Sequence, residues 1–593
     1  MLQKSIHILP LFFLLSLFFP NNADCKDGIE EILKETPDST YLHVVVLMKE
    51  RPDQDKLEEL VRYLPKNERK AKVWEELVDL ASSSQSSVRK FLGKRDNLSR
   101  IAKLKTLYIA NGFVLEAKKD VIEALLKRKD IKSILGGNAV EPGDSKPRTK
   151  KNQAARLDDI SWSVEHIGAP EVWQSGITGE GILVAIIDTG VNYNHNDIND
   201  HLWDGGEEFP HHGYDFHDSD DDPMDFEGHG TSVAGIIAGD GTSGDTTGVA
   251  LDATIMCLKV RHDLYTGRVS SAWLAQDFAL EHGADIIAMS LGWGSPADGD
   301  RQTWRNIYEI LNIAGIVCTK SGGNRRETHS VPESISVPGR VPSPWRHPDE
   351  TGIGGRGGLI TVGAVIQNNQ VEAFSSPGPV TWQEIEPWND YPIDSVNTGM
   401  IKPDICAPGI NGHSLNYSTV DGYSTFSHTS MAQPHVAGVA ALMLSKNPEL
   451  LPVHVDSILQ TTAIDLGQHG KDNDYGAGLV QAVAAVNAVP DPMGIDIGGR
   501  NATTLPEELA LVSVHPNPFN SRTTLKLELK RDAYVRVQVF NLIGQQVAKI
   551  LDGVSSEGKY SYPVDGSNWS NGLYILRVQV DKRHECQKML LLK

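Results

Sequence analysis

The chain has 593 residues, 40% of them hydrophobic, so it is too long for one ordinary domain and can form several cores. Its net charge of −21, from 56 basic and 77 acidic residues, argues against nucleic acid as a partner. Five cysteines do not make a disulfide scaffold.

The charge is uneven along the chain. Residues 41–156 hold 26 basic and 16 acidic residues, whereas residues 157–593 hold 27 and 55. Opposite signs could steer the N-terminal region onto the rest of the chain, although two independent solvated surfaces explain the asymmetry equally well.

Residues 1–23 are typical of a secretory signal peptide, because Lys4 precedes a short apolar stretch at 8–19 that cannot span a membrane. Cys25 raises a lipoprotein alternative, against which Asp24 argues. No later segment reaches about 18 uninterrupted apolar residues. The sequence therefore predicts a mature protein that is soluble or attached to a surface.

Residues 24–150 show an α+β pattern. The periodicity predicts strands at 41–48, 107–117 and 131–135, and helices at 54–64, 68–104 and 119–129. The polar, basic stretch at 141–156 is an expected exposed linker suited to cleavage.

An apolar run at 182–188 predicts a strand buried on both faces, and it ends in Asp188. An acid at the end of a parallel strand lies where open α/β sheets place their active sites. The Asp-Thr-Gly that begins at Asp188 also occurs in aspartic peptidases, but these need two such motifs. The chain has no second one, so we set that interpretation aside.

Two further segments place reactive residues at the start of helices made of small residues. His229 lies between two glycines at the head of one, and Ser430 heads the other. Alone, the serine would usually be a helix N-cap and the histidine structural. With Asp188 they supply an orienting acid, a general base and a nucleophile, in the order Asp, His, Ser.

These motifs, with the segments 288–292, 321–324, 371–379 and 402–409, resemble the subtilisin-like serine peptidases over residues 157–489. The resemblance implies an endopeptidase with Asp188, His229 and Ser430 as catalytic residues and Asn324 in the oxyanion hole. It implies no cofactor for catalysis and protein or peptide substrates. The implied substrate-binding residues are Ser290, Leu291, Gly292, Ser321, Gly322 and Gly323.

The alternation of elements gives the same fold class. Strands are predicted at 253–260, 285–290 and 315–319, and helices at 271–282 and 304–314. Such alternation predicts an α/β, mostly parallel sheet with helices on both faces. By position and pattern, residues 24–150 resemble the inhibitory propeptide of such enzymes, an intramolecular inhibitor. An unrelated N-terminal domain is the alternative.

After a linker at 490–505, short strands predict a small β-sandwich over 506–593. The expected strands are 523–529, 534–540, 546–550, 560–564 and 573–580. The segments 516–520, 541–544 and 571–574 resemble the C-terminal sorting domain of type IX secretion substrates. That resemblance implies secretion machinery as a partner and a secreted or cell-surface protein. A generic binding sandwich is the alternative.

The chain departs from the family at several positions. His428 stands where glycine is usual and Gln433 where a small residue is usual; Lys320, Arg325 and Arg326 are also unusual. None removes a catalytic atom. A catalytically impaired scaffold acting as a surface binding protein therefore remains an alternative, as does an enzyme of this fold serving one processing event.

A structural calcium is a further hypothesis, because oxygen ligands clustered in a loop suit that ion and relatives use nearby loops for it. A solvated acidic loop explains the same run. The candidate ligands are Asp215, Asp218, Asp220, Asp221 and Asp222.

Overall fold

The computed structural model describes residues 25–136, 159–263, 267–293, 300–350, 353–395, 397–490, 509–515, 519–541, 545–570, 572–580 and 583–591. The predicted signal peptide at 1–23, the predicted linker at 141–156 and, apart from Pro490, the predicted linker at 490–505 lie outside them.

Within these residues the helices are α1 Cys25–Glu35, α2 Gln54–Val61, α3 Lys66–Ser84, α4 Ser86–Leu92, α5 Arg95–Leu98, α6 Lys119–Leu126, α7 Trp162–His166, α8 Ala169–Trp173, α9 His229–Ala238, α10 Val269–Glu281, α11 Arg301–Ala314, α12 Thr429–Lys446, α13 Pro452–Thr461 and α14 Ala482–Ala488. The strands are β1 Tyr41–Met48, β2 Ile101–Leu107, β3 Gly112–Lys118, β4 Ile131–Gly136, β5 Leu183–Asp188, β6 Gly213–Asp215, β7 Thr254–Lys259, β8 Ile286–Met289, β9 Val317–Ser321, β10 Leu359–Val365, β11 Ile405–Pro408, β12 Gly412–Leu415, β13 Tyr423–Phe426, β14 Leu509–His515, β15 Arg522–Leu529, β16 Ala533–Asn541, β17 Gln546–Ser555, β18 Gly558–Asp565, β19 Gly572–Val580 and β20 Arg583–Leu591.

The central body contains a seven-stranded sheet in the order β11-β10-β9-β8-β5-β7-β6, in which every pair is parallel. Successive side chains of β5 point to opposite faces. Val184 and Ile186 pack in a core with α9 and α12, whereas Ala185 and Ile187 pack in a core with α10 and α11. The predicted parallel sheet with helices on both faces is confirmed.

The N-terminal unit, residues 25–136, has an antiparallel sheet in the order β2-β3-β1-β4. Val44 and Val46 of β1 face a core within the unit, while Val45 and Leu47 face the core that contains α10 and α11. One side of this sheet is therefore buried against the central body.

Two predictions in this unit are wrong. The helix expected at 68–104 is three helices that end at Ser84, Leu92 and Leu98, and the strand expected at 107–117 is the turn and second strand of a hairpin. Strand β2 exists because it pairs with β3, and local periodicity does not show that pairing.

The C-terminal unit has antiparallel sheets ordered β14-β15-β18 and β17-β16-β19-β20. Leu525 and Leu527 of one sheet share a core with Val535 and Val537 of the other, which confirms a small β-sandwich. Strands β14 and β20 were not predicted. Among the described residues, no helix has the length and apolar character to span a membrane.

One buried carboxyl group, that of Asp277, helps to fix the N-terminal unit to the body, and burial raises its pKa to about 8. Asp277 of α10 accepts the backbone N–H groups of Tyr108 and Ile109, both at 2.7 Å. These groups belong to the turn between β2 and β3, so the helix surface caps the hairpin. Beside it, Lys70 binds Asp285 at 2.6 Å.

We expect Asp277→Ala to loosen this docking, because it leaves two N–H groups in the interface without their acceptors, at about 1–3 kcal/mol each if they stay buried. In the full chain carrying Ser430→Ala, amide hydrogen exchange at 107–112 should accelerate and thermal unfolding should begin earlier. The matched control is Asp79→Ala, which removes an exposed carboxylate from α3. Equal behaviour of the two variants would show that the contact does not hold the unit in place.

Candidate active site

The carboxyl ends of β9, β8 and β5 lie side by side, because these strands are parallel neighbours in the sheet. Asp188 is the last residue of β5, Ser290 follows β8 and Ser321 ends β9. Helices α9 and α12 begin at His229 and Thr429. Open parallel sheets bind ligands at this edge.

Asp188 and His229 form a buried pair. Asp188 Oδ1 accepts a hydrogen bond from His229 Nδ1 at 2.7 Å and from the Thr189 N–H at 2.8 Å. Burial alone would lower the pKa of His229, but the charge and hydrogen bond of Asp188 outweigh it and raise that pKa above its ordinary 6.5. With Nδ1 donating to Asp188, the neutral ring keeps its lone pair on Nε2.

The close approach of α9 to β5 depends on Gly230. A β-carbon there would lie 2.0 Å from the carbonyl oxygen of Gly190 and 3.1 Å from Asp188 Cβ. Since real β-carbons do not approach backbone oxygen so closely, only glycine allows His229 to reach Asp188 from the first turn of this helix.

The loop before His229 is organised by Asp225, which the sequence analysis missed. Its Oδ1 accepts the N–H groups of Glu227 and Gly228, both at 2.9 Å, and its Oδ2 accepts both the N–H and the hydroxyl of Thr231. Asp225 thus satisfies donors at the start of α9. The only sequence signal was an acid just ahead of a helix start.

Ser430 is the second residue of α12, so its N–H lies in the first turn, where no intrahelical acceptor exists. Its Oγ donates to the Ser290 carbonyl oxygen at 3.1 Å. Within the described residues, no hydrogen bond joins this Oγ to His229. A rotation of the Ser430 side chain is therefore needed before the two can exchange a proton, and substrate-free sites often have such loose geometry.

Pro434 and Gln433 explain how the segment after β8 is held. Pro434 has no N–H, so the Ser430 carbonyl lacks its helical donor, and Ser290 Oγ lies 3.2 Å from that carbonyl oxygen. Gln433 accepts from the same hydroxyl at 2.5 Å and donates to Thr319 Oγ1 at 2.7 Å. The unusual glutamine thus joins α12 to β9 and to the segment after β8.

Asn324 lies next to the start of α12. Its Oδ1 accepts both the N–H and the hydroxyl of Thr429, each at 3.0 Å. Because these two bonds hold Oδ1 toward Thr429, the Asn324 Nδ2 group points away from Thr429. Gly323 precedes it with φ +107°, a left-handed conformation that favours glycine.

His428 occupies a backbone conformation that almost only glycine adopts, with φ 87° and ψ 178°. The backbone at His428 therefore has a conformation typical of glycine, although the residue carries a side chain. The imidazole packs edge-on against Phe374 at 4.7 Å between ring centres. The side chain therefore stores strain two residues before the nucleophile.

The expected substrate-binding residues line two neighbouring strand ends. Leu291 is buried in the core with α10 and α11, so it offers only its backbone. A β-carbon on Gly292 would lie 2.5 Å from Ser336 Oγ and 3.1 Å from Lys320 Nζ. Lys320 therefore sits, fully buried, behind this surface and donates to Ser336.

The other unusual residues have structural contacts. Arg326 donates to the Ser375 carbonyl and pairs with Asp474 at 2.7 Å. The Arg325 N–H donates to Ser376 Oγ. The buried thiols of Cys257, Cys318 and Cys406 have pKa values raised by burial, which disfavours a thiolate nucleophile.

The five aspartates considered for calcium do not converge. Asp215 pairs with Lys259 at 3.1 Å, and Asp222 accepts the Tyr193 hydroxyl at 2.8 Å. Among the described residues, the one group of three possible metal ligands contains two histidines and only one of these aspartates. The donor set therefore does not fit calcium.

A serine at a helix start and an imidazole held by a buried carboxylate, at the carboxyl edge of a parallel sheet, are the groups that serine-type endopeptidases use. Residues 179–478 match the subtilase family, and residues 513–592 match the secretion system C-terminal sorting domain. The chain belongs to the subtilase family.

Three relatives indicate the extent of the likeness. Bacillopeptidase F of Bacillus subtilis (strain 168) is 29% identical over 70% of this chain, which spans only 28% of that protein. Subtilisin Savinase of Lederbergia lenta is 32% identical over 55% of this chain and 98% of its own length. M-protease of Shouchella clausii (strain KSM-K16) is also 32% identical, over 55% of this chain and 70% of its own length.

The raised pKa of His229 predicts its titration. In the Ser430→Ala protein, nuclear magnetic resonance should show His229 titrating above 6.5, whereas His435, whose pKa burial lowers to about 4, should stay neutral from pH 5 to 8. Asp188→Asn should lower the His229 pKa, since it removes the charge and hydrogen bond that most oppose the effect of burial, while Glu227 and Asp225 still raise it. An unchanged value would mean that Asp188 does not stabilise the imidazolium.

The raised pKa of His229 also predicts how the stability of the folded protein changes with pH. Because the folded pKa of His229 is raised, the pair contributes stability that is full below pH 6.5 and is lost as the pH rises through the folded value.

The strain at His428 predicts an order of stabilities. His428→Gly and His428→Ala remove the same ring contacts, but only glycine relieves the positive φ. We expect the glycine variant to unfold with a free energy about 1–3 kcal/mol higher than the alanine variant, as measured by denaturant unfolding. Equal stabilities would show that the backbone there is unstrained.

Proposed function

We propose that this protein is a secreted serine endopeptidase that hydrolyses peptide bonds through Asp188, His229 and Ser430 and is made as a self-inhibited precursor. The observation that carries the proposal is the buried 2.7 Å bond from His229 to Asp188, beside a serine at the start of α12. Membership of the subtilase family supports it.

In the proposed reaction, Ser430 Oγ attacks the scissile carbonyl carbon and His229 Nε2 accepts the hydroxyl proton. Asp188 holds the imidazole in the tautomer that leaves Nε2 free and stabilises its charged form. His229 then delivers the proton to the leaving amine. Water attacks the acyl-enzyme by the same route, releases the acid and restores Ser430.

The oxyanion of each tetrahedral intermediate would lie between Asn324 Nδ2 and the Ser430 N–H. Thr429 supports this role, because it holds the amide oxygen of Asn324 and so orients the donor. Preorganised donors of this kind are worth about 10²–10³ in turnover each. The segments 290–292 and 321–323 would bind the substrate backbone as an added strand.

The precursor part of the proposal rests on the N-terminal unit. We assign residues 24–150 as the inhibitory propeptide, 157–489 as the peptidase domain and 506–593 as the sorting domain read by secretion machinery, after removal of a signal peptide at 1–23. The part of the propeptide sheet that carries Val45, Leu47 and Val114 is buried in the core with α10 and α11, which supports an intramolecular inhibitor. Catalysis in this family needs no cofactor; a calcium ion in the 215–222 loop stays an unsupported prediction.

The second candidate function is a binding scaffold without peptidase activity. Two observations favour it: the strained His428 two residues before the nucleophile, and the Ser430 hydroxyl turned toward the Ser290 carbonyl. A substrate would have to displace that contact for attack to begin.

The test is reaction of the purified full chain with a fluorescent phosphonate serine-hydrolase probe after incubation. We expect the wild type to be labelled and to lose mass from the precursor of 64.9 kDa, because both need Ser430. Ser430→Ala should show neither change. Ser418→Ala, which removes an exposed serine hydroxyl, should behave as the wild type.

Two other outcomes would contradict the proposal. Labelling that persists in Ser430→Ala would exclude this serine as the nucleophile. A folded wild type that has lost its N-terminal unit yet takes up no label would favour the binding scaffold.

A further inference from the structure

Two histidines and an aspartate meet beyond the ends of β6 and β7. These strands are parallel neighbours, and Asp215 at the end of β6 is paired with Lys259 at the end of β7. His217 and Asp218 follow β6, and His262 follows β7. Counted from the paired residues Asp215 and Lys259, the three lie two or three positions further along their strands' continuations, so their side chains meet at the carboxyl edge of the sheet.

Their spacing suits a metal ion. The candidate ligand atoms all lie within 4.8 Å of one another. His262 Nε2 is 2.9 Å from Asp218 Oδ2, and His217 Nε2 is 3.9 Å from Asp218 Oδ1. Two ligands at about 2.0–2.1 Å from a tetrahedral zinc ion lie about 3.3 Å apart, between these two values.

The turn that presents these ligands is firmly supported. Asp215 Oδ1 accepts the N–H groups of His217 and Asp218 at 2.7 and 3.0 Å, while its Oδ2 pairs with Lys259 at 3.1 Å. Asp215 and Lys259 are both 1% exposed. Buried groups thus fix the backbone of two ligands, as outer partners do in metal sites.

We propose that His217, Asp218 and His262 bind one transition-metal ion, with Zn²⁺ as the simplest occupant. Two imidazoles and one carboxylate match zinc, cobalt or nickel, whereas calcium requires six or more oxygen ligands. Asp218 and His262 are nearly half exposed, which leaves room for water to complete the coordination. This site is separate from the proposed peptidase chemistry.

The position of the site gives the ion a structural consequence. The neighbouring residue Arg261 donates to the Gly292 carbonyl at 3.0 Å, and its guanidinium lies over the Trp293 ring. A metal ion would join the turn after β6 to the loop after β7, and so brace the loop that contacts the expected substrate-binding segment. Binding should therefore raise the thermal midpoint of the body.

The experiment titrates Zn²⁺ into the full chain carrying Ser430→Ala, purified without a polyhistidine tag, by isothermal titration calorimetry. We expect one ion per chain, a visible absorption band with Co²⁺ that Zn²⁺ displaces, and no competition from millimolar Ca²⁺. His262→Asn should weaken Zn²⁺ binding at least about tenfold, and His217→Asn with His262→Asn should abolish it.

The matched control is His469→Asn, because His469 is an exposed histidine paired with one aspartate, Asp465, at 2.8 Å. It should bind Zn²⁺ as the parent does. Circular dichroism and unfolding in EDTA establish that the variants are folded. Unchanged stoichiometry in the double variant, displacement of Zn²⁺ by Ca²⁺, or no heat and no Co²⁺ band with the parent would each overturn the proposal.

Discussion

The structure of the site depends on keeping the charge of Asp188 out of water. The carboxylate is fully buried, and Oδ1 receives two donors, while Oδ2 has no hydrogen-bond partner among the described residues. Such a charge is costly unless an imidazolium can form beside it. The glycine at position 230 and the cap from Asp225 serve that need, because both bring His229 to this one oxygen.

A second set of buried charges is structural. Lys402 and Lys471 both bind Asp404, at 2.5 and 3.1 Å, and Lys471 also binds Glu350 at 2.5 Å. The ion pairs hold the pKa of Asp404 below its ordinary value despite burial. All these charges are neutralised within the network. The charge of Asp188 differs, because the partner that faces it is the imidazole of His229, whose own charge depends on pH.

The sequence predicted what is local and missed what depends on distant partners. The apolar runs that became β5, β7, β8 and β9 are buried on both faces, so composition alone identified them. The three-residue strand β6 is formed by its pairing with β7, which local sequence does not show. The hydrogen bonds of Asp225 likewise depend on how its loop folds. Pro434 in the sequence shows that the Ser430 carbonyl lacks its helical donor. It does not show that Ser290, distant in the chain, lies beside that carbonyl.

The docking of the N-terminal unit shows why net charge was a weak guide. Lys70 on Asp285 follows the expected sign, a basic unit against an acidic body, but Arg268 on Glu116 reverses it. The interface also contains the apolar face of β1, apolar side chains of α2 and α3, and the capping of the hairpin by Asp277. Backbone hydrogen bonds within an apolar contact fix one orientation of the N-terminal unit on the body. An uneven net charge only favours one face of the body over another. The alternation of side chains along β1 is therefore the stronger sequence signal for this docking.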